Sequence, residues 1–179
     1  MAIFLKRHTD KKYKLKYNKY DLSKDYGIGW TTNTNKEFYF DLEDFDKIKD
    51  YCWNEDNNGY ITTRFKLNGV NVRYKLHRMV MDVEDTVEVD HIMHNHNDNR
   101  KEYLRIVTDQ QNKMNRGLRK DSPTSVVGVS WYRKYGKWRA RIGVNKKAIT
   151  LGYFDEFEEA VKCRREAEAK YFGEYAYKL

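Results

Sequence analysis

One stretch of the chain, VEVDHIMHNHNDNRKEYLRIVTDQQNKMN, gathers side chains that can bind a cation or move a proton: Asp90, His91, His94, His96, Asp98, Asn99 and Asn112. Carboxylate and amide oxygens are hard donors that suit Mg²⁺, an ion that keeps most of its waters and bridges to phosphate without demanding a full protein cage. A neutral imidazole beside such an ion can take a proton from water near neutral pH. This composition offers metal-assisted hydrolysis. The plainer reading is a polar loop whose Asp and Asn residues only shape turns.

These groups act together only if the backbone converges them. VEVDH and YLRIV read as strands and TDQQNKMN as a polar, helix-capable segment, so the order is strand, loop, strand, helix. That order can bring a carboxylate and an imidazole at the end of the first strand close to an amide on the helix. Upstream, GYITTRFKL and VNVRYKLHRMV flank Asn68 and Gly69, a dipeptide that supplies the positive φ of a tight hairpin turn. Before it, Glu37 to Leu42 reads as a strand, and DLEDFDKIKDYCW as a short helix with Phe45, Ile48 and Trp53 packed inward. RGLRKDSPT, residues 116–124, holds the single proline and no apolar periodicity, and reads as a linker.

The run from Lys75 to Asn115 resembles the HNH nuclease domain of phage and intron homing endonucleases. The resemblance rests on Leu76 to Arg78 (LHR), the Asp90 and His91 pair, Asp98 to Arg100 (DNR), Leu104 to Thr108 (LRIVT), and Gln111 with Asn112. It implies a ββα-metal fold in which Asp90 and Asn112 ligate one Mg²⁺ or Mn²⁺ and His91 is the general base. Cleavage would leave 5′-phosphate and 3′-hydroxyl ends. Two positions depart from the family. Tyr103 stands where an asparagine usually fixes the metal loop from behind, with Asn99 a substitute for that support. The usual INGN turn reads Ile92, Met93, His94, Asn95. Arg78 is a candidate for a phosphate contact, His77 reads as structural, and His94 and His96, alternating in the loop, read as solvated or as touching DNA.

After the linker, VVGVSWYRKYGKWRARIGVNKKAITLGYF reads as three short strands. In KWRARI the alternation puts Trp138, Ala140 and Ile142 on one face and Lys137, Arg139 and Arg141 on the other. Trp131 shares the inward parity. Phe157, Ala160, Val161, Arg164, Ala167 and Tyr171 form a helical stripe that can cover the apolar side. The segment is similar to the AP2/ERF DNA-binding domain, through Gly128 to Ser130, GKWRARI, Leu151 to Phe154, EEA and FGEYAY. That similarity implies a three-stranded sheet laid on DNA, with Arg133, Lys137, Arg139, Arg141 and Lys147 as contacts. Ser130 and Thr150 stand where plant members carry base-reading arginines, so target preference does not transfer.

Charge agrees with a polyanionic partner. Of the net charge of +8, residues 117–179 carry 14 Lys+Arg against 8 Asp+Glu. Nine bases and one acid fall in 119–154, and four bases and seven acids in 155–174, so a basic face is backed by an acidic one. With 179 residues, 40% of them apolar, the chain has material for a core, which excludes a disordered chain. Its apolar runs are too short for a membrane span, and the basic start allows no signal-peptide core. Cys52 and Cys163 lack metal-site spacing and read as free thiols.

The expectation is an α+β protein: a β-rich region leading into an HNH domain over 1–115 (core about 75–115), a linker over 116–124, and an AP2-like sheet packed on one helix over 125–179. Its expected function is a cytoplasmic, phage-type endonuclease acting on double-stranded DNA. The alternatives are a disabled HNH-derived DNA-binding regulator, or a phage inhibitor that sets its basic surface against a protein partner.

Overall fold

A computed structural model describes residues 17–67, 69–84, 86–115, 117 and 124–176. The chain is mixed α+β, with several small antiparallel sheets and few helices, and divides into two units, Met1–Val107 and Thr108–Leu179. The lead before residue 17, the turn residue Asn68 and most of the expected linker lie outside the described residues.

In the first unit, β1 (Lys19–Asp21), β2 (Gly27–Trp30) and β3 (Glu37–Phe40) form an antiparallel meander. Gly27 and Gly29 let two rings lie flat on the middle strand: a Cβ at either position would come within 2.3 Å of Phe40 or Phe38. A 3₁₀ turn, Leu42–Asp44, leads into α1 (Phe45–Ile48), so the helix is shorter than its apolar spacing predicts. Trp53 lies beyond that helix but is still fully buried, its indole donating to Ile48 O at 3.0 Å.

The Asn18 side chain is a buried staple between segments. It donates to Trp30 O (2.7 Å) and Trp53 O (2.9 Å) and accepts from Trp53 N (2.7 Å). Asn18→Ala strands these groups away from water and is expected to cost about 2 kcal/mol, read as a lower urea midpoint at unchanged slope.

β4 (Asn54–Glu55), β5 (Ile61–Leu67) and β6 (Val70–Lys75) make a second antiparallel sheet. The hairpin's second arm stops at Lys75. Leu76–Met81, read from sequence as continuing the strand, is instead α2, because Leu76, Met79 and Val80 then reach the core on one face. Asp82 closes it in the left-handed region at φ 51°. β7 (Glu88–His91) and β8 (Leu104–Val107) pair antiparallel. One core joins Phe38, Phe40, Ile48, Trp53, Ile61, Leu76, Val89 and Leu104, so the β7–β8 hairpin is seated on the strands that precede it.

The second unit opens with α3 (Asp109–Met114), started by a reciprocal Thr108 and Gln111 capping box. β9 (Val129–Tyr132), β10 (Lys137–Val144) and β11 (Lys147–Phe154) form a sheet in the order β11-β10-β9, packed on α4 (Phe157–Phe172). α3 belongs here by its contacts: Gln110 bonds Asn145 at 2.7 Å, and Met114 packs with Ile142, Ala167 and Phe172.

Ala140 and Ile142 are buried as their parity predicts, and Arg141 faces out. Trp131 does not follow that prediction. It stands opposite Trp138 on the edge strand and remains 49% exposed. Likewise Phe172, not Tyr171, completes the buried stripe of α4. Arg164 lies within that stripe because its charge is met there, by Val127 O at 2.9 Å and Glu168 at 3.1 Å.

Gly128 (φ +81°) sits against this arginine. A Cβ there would lie 2.4 Å from Arg141 O and 2.7 Å from Arg164 Nε. Gly128→Ala should cost at least about 2 kcal/mol, seen as an earlier thermal transition of the second unit.

Candidate active site

Asp90 and His91 end β7, and both are buried. Strand alternation turns them to opposite faces, and antiparallel register puts Arg105 directly across from Asp90. The Arg105 guanidinium donates to Asp90 Oδ2 through Nε (3.1 Å) and Nη2 (2.9 Å), which fixes the carboxylate. Sequence reasoning missed Arg105, although counting back from a turn-closed strand pair would have set it opposite an acid.

Behind the pair, the loop folds tightly. His94 N donates to His91 O at 3.0 Å and Ile92 N to Tyr103 O at 2.9 Å. His94 occupies the altered turn with φ 57°, a left-handed conformation that glycine adopts more easily. Asn99 is completely buried and donates to Asn97 O (3.0 Å) and His96 O (3.4 Å). Its backbone, with that of Asn97, clasps Tyr39 of β3: Asn99 N to Tyr39 O and Tyr39 N to Asn97 O, each 2.8 Å.

Tyr103 contributes its ring and its carbonyl. The ring lies 4.5 Å from the Arg100 guanidinium, which is also 4.8 Å from Tyr26 and is bidentate to Asp98 at 2.8 and 2.6 Å. Tyr103 thus offers this loop a cation–π contact through its ring. His91, Met93, Asn95, Asp98, Arg100 and Tyr103 line a cavity of about 230 Å³.

Burial and the charge of His96 push the His91 pKa down to about 4, against a hydrogen bond that the ring donates to the Asn99 side chain and the charge of Asp98. The imidazole is therefore neutral at pH 7. His77 on α2, expected to be structural, is buried edge-on against His91 at 4.8 Å, and burial lowers its pKa to about 2. His96 is not simply solvated: it stacks on Tyr60 at 3.8 Å and bonds Asn58 O at 3.0 Å. Tyr60, which no sequence signal marked, packs among all three histidine rings.

Asn112 lies on α3, in the second unit. Among the described residues no group of three or more His, Cys, Asp or Glu side chains is disposed to hold a metal ion. The donor at Asp90 is one hard carboxylate, of the chemistry that suits Mg²⁺, with Arg105 on its Oδ2.

The arginine of the LHR segment has found protein partners. Arg78 donates to Val87 O (2.6 Å) and Glu84 O (2.5 Å) and holds the turn after α2. In the second unit Arg133, Arg141 and Lys147 are exposed, Lys137 pairs with Asp155 at 3.0 Å, and Arg139 lies 4.6 Å from the Tyr132 ring. Tyr132, Tyr135 and Tyr153 form a mutually packed trio beside it, with centroids 4.8 to 5.4 Å apart.

Among the described residues no helix is long and apolar enough to cross a membrane. No protein-family model matches the chain, and no curated protein matches it. Among solved structures the chain is similar to the HNH homing endonuclease I-HmuI, in a structure of its DNA binding and cleavage, at 22% identity and a TM-score of 0.32. The match covers 49% of each chain, and a score of that size does not establish a common fold.

Proposed function

We propose that the chain is a DNA endonuclease of the HNH type. It hydrolyses a phosphodiester with His91 as general base and one divalent ion, Mg²⁺ or Mn²⁺, and its C-terminal AP2-like sheet holds double-stranded DNA. The observation that carries this reading is the buried, neutral His91 imidazole lining a cavity of about 230 Å³ at the end of β7, with the Asp90 carboxylate next to it in sequence and fixed by Arg105 on the opposite face of the strand.

His91 removes the proton of the attacking water, and Asn99 keeps the ring from turning. Asp90, and by the HNH resemblance Asn112, would hold the ion. When bound, the ion supplies positive charge to the phosphate and to the leaving 3′ oxygen. Arg133, Arg139, Arg141, Lys137 and Lys147 grip the duplex, giving affinity that falls steeply with salt.

A second reading has its own observation. Arg105 already satisfies Asp90 at 2.9 Å, as in a site that has lost its ion and retains only DNA binding. Supercoiled plasmid separates the two. Under the first reading, nicked or linear product forms in Mg²⁺ and EDTA stops it. Duplex binding with no metal-dependent product assigns the chain to the second.

A further inference from the structure

On the β5–β6 hairpin, Arg64 and Arg73 are directly opposite each other, and both are exposed. Like charges facing across a hairpin destabilise it, so the pair stands against the fold's own interest unless an anion comes between the two. The neighbouring rows extend the charge. Lys66 faces Asn71 and Lys75 faces Thr62, which puts four cations and no acid on that side of the hairpin.

The two arginines line a cleft of about 670 Å³ with the amides of Asn33, Asn54, Asn57 and Asn58. Its carboxylates are committed elsewhere: Glu55 to Lys36 at 2.5 Å, and Asp56 to the backbone N–H groups of Asn58 and Tyr60. The row also has a direction. The Lys75 ammonium lies 4.1 Å from the Tyr60 ring, that ring stacks on His96 at 3.8 Å, and His96 lies 5.3 Å from His91.

We propose that this face is a phosphate-backbone grip within the first unit. A nucleic-acid strand would cross between Arg64 and Arg73 and lead toward His91. Alternate residues on a strand are about 6.8 Å apart, close to the spacing of successive phosphates, so the rows can meet neighbouring phosphates in turn. The inference rests on nucleic acid being the substrate, and it adds contacts that the C-terminal arginines do not supply.

The test uses the full chain in EDTA with a labelled duplex of arbitrary sequence, titrated across salt by fluorescence anisotropy, so it reads binding whether or not the protein cleaves. Arg73→Glu converts the repulsive pair into an attractive one while repelling phosphate. The expected result is at least about 10-fold weaker binding and a log-log salt slope shallower by about one to two, with thermal stability equal to or above the parent's. Arg64→Thr with Arg73→Thr should lower the slope by about two. Unchanged affinity and slope in both variants overturns the proposal. So does wild-type protein that binds no duplex. A chain that binds in this way but never cleaves refutes the nuclease reading and leaves the grip standing.

Discussion

Replacing His91 with alanine is expected to leave a folded chain that still binds duplex DNA but cleaves supercoiled plasmid about 10²- to 10⁴-fold more slowly in Mg²⁺. The size follows from what is removed. Among the described residues no other imidazole lines the cavity beside His91, since His77 is buried behind it and His96 is stacked on Tyr60. Asp90 cannot replace it as a base, because strand alternation turns it to the other face of β7, where Arg105 holds its carboxylate at 2.9 Å. Asn99→Ala removes the brace and keeps the base, so its expected loss is about 10-fold, seen in single-turnover cleavage at saturating protein. Wild type and His91→Ala with equal metal-dependent rates would refute the assignment of the base.

The second large effect is on stability in acid. His77 and His91 titrate at about 2 and about 4 in the folded chain, against 6.5 when unfolded. Between pH 6.5 and 4 the unfolded chain therefore binds two protons that the folded chain refuses. Stability is full above pH 6.5 and falls as the pH drops below it, by about 1.4 kcal/mol per unit for each ring. At pH 5 the loss comes to about 2 kcal/mol per ring, or about 4 for both, a large part of a typical domain's net stability. Burial lowers the His96 pKa too and adds in the same direction. Urea midpoints at pH 7 and pH 5 read this loss. His77→Leu should recover about half of it, and a variant as acid-labile as the parent would show that His77 is not the group responsible.

What the sequence made legible was whatever depends on near neighbours. The alternation of KWRARI gives the buried Ala140 and Ile142 and the exposed Arg141, because strand parity is fixed by the backbone alone. The strands at 88–91 and 104–107 and the helix at 109–114 follow from two apolar runs and a polar, helix-capable segment after them. What depends on position within a layer stayed hidden. Trp131 has inward parity, but an edge strand gives it too little cover. LHRMVM scans equally as a strand or a helix, and only the core it faces decides. At the site, Asp90 and His91 are visible as residue types. The Arg105 bond, the stacking of Tyr60 on His96 and the Tyr26 and Tyr103 contacts of Arg100 join residues up to 74 apart in number, beyond any local pattern.

The backbone clasp between Tyr39 and the loop at Asn97 and Asn99 bears on how portable the site is. A peptide cut out from Lys75 to Asn115 would keep the aspartate, the base and its amide brace, yet lose the strand to which the loop is stitched. Moving the proposed site onto a foreign scaffold therefore means carrying residues 37–40 along as a splint, since the piece that holds the loop is discontinuous along the chain.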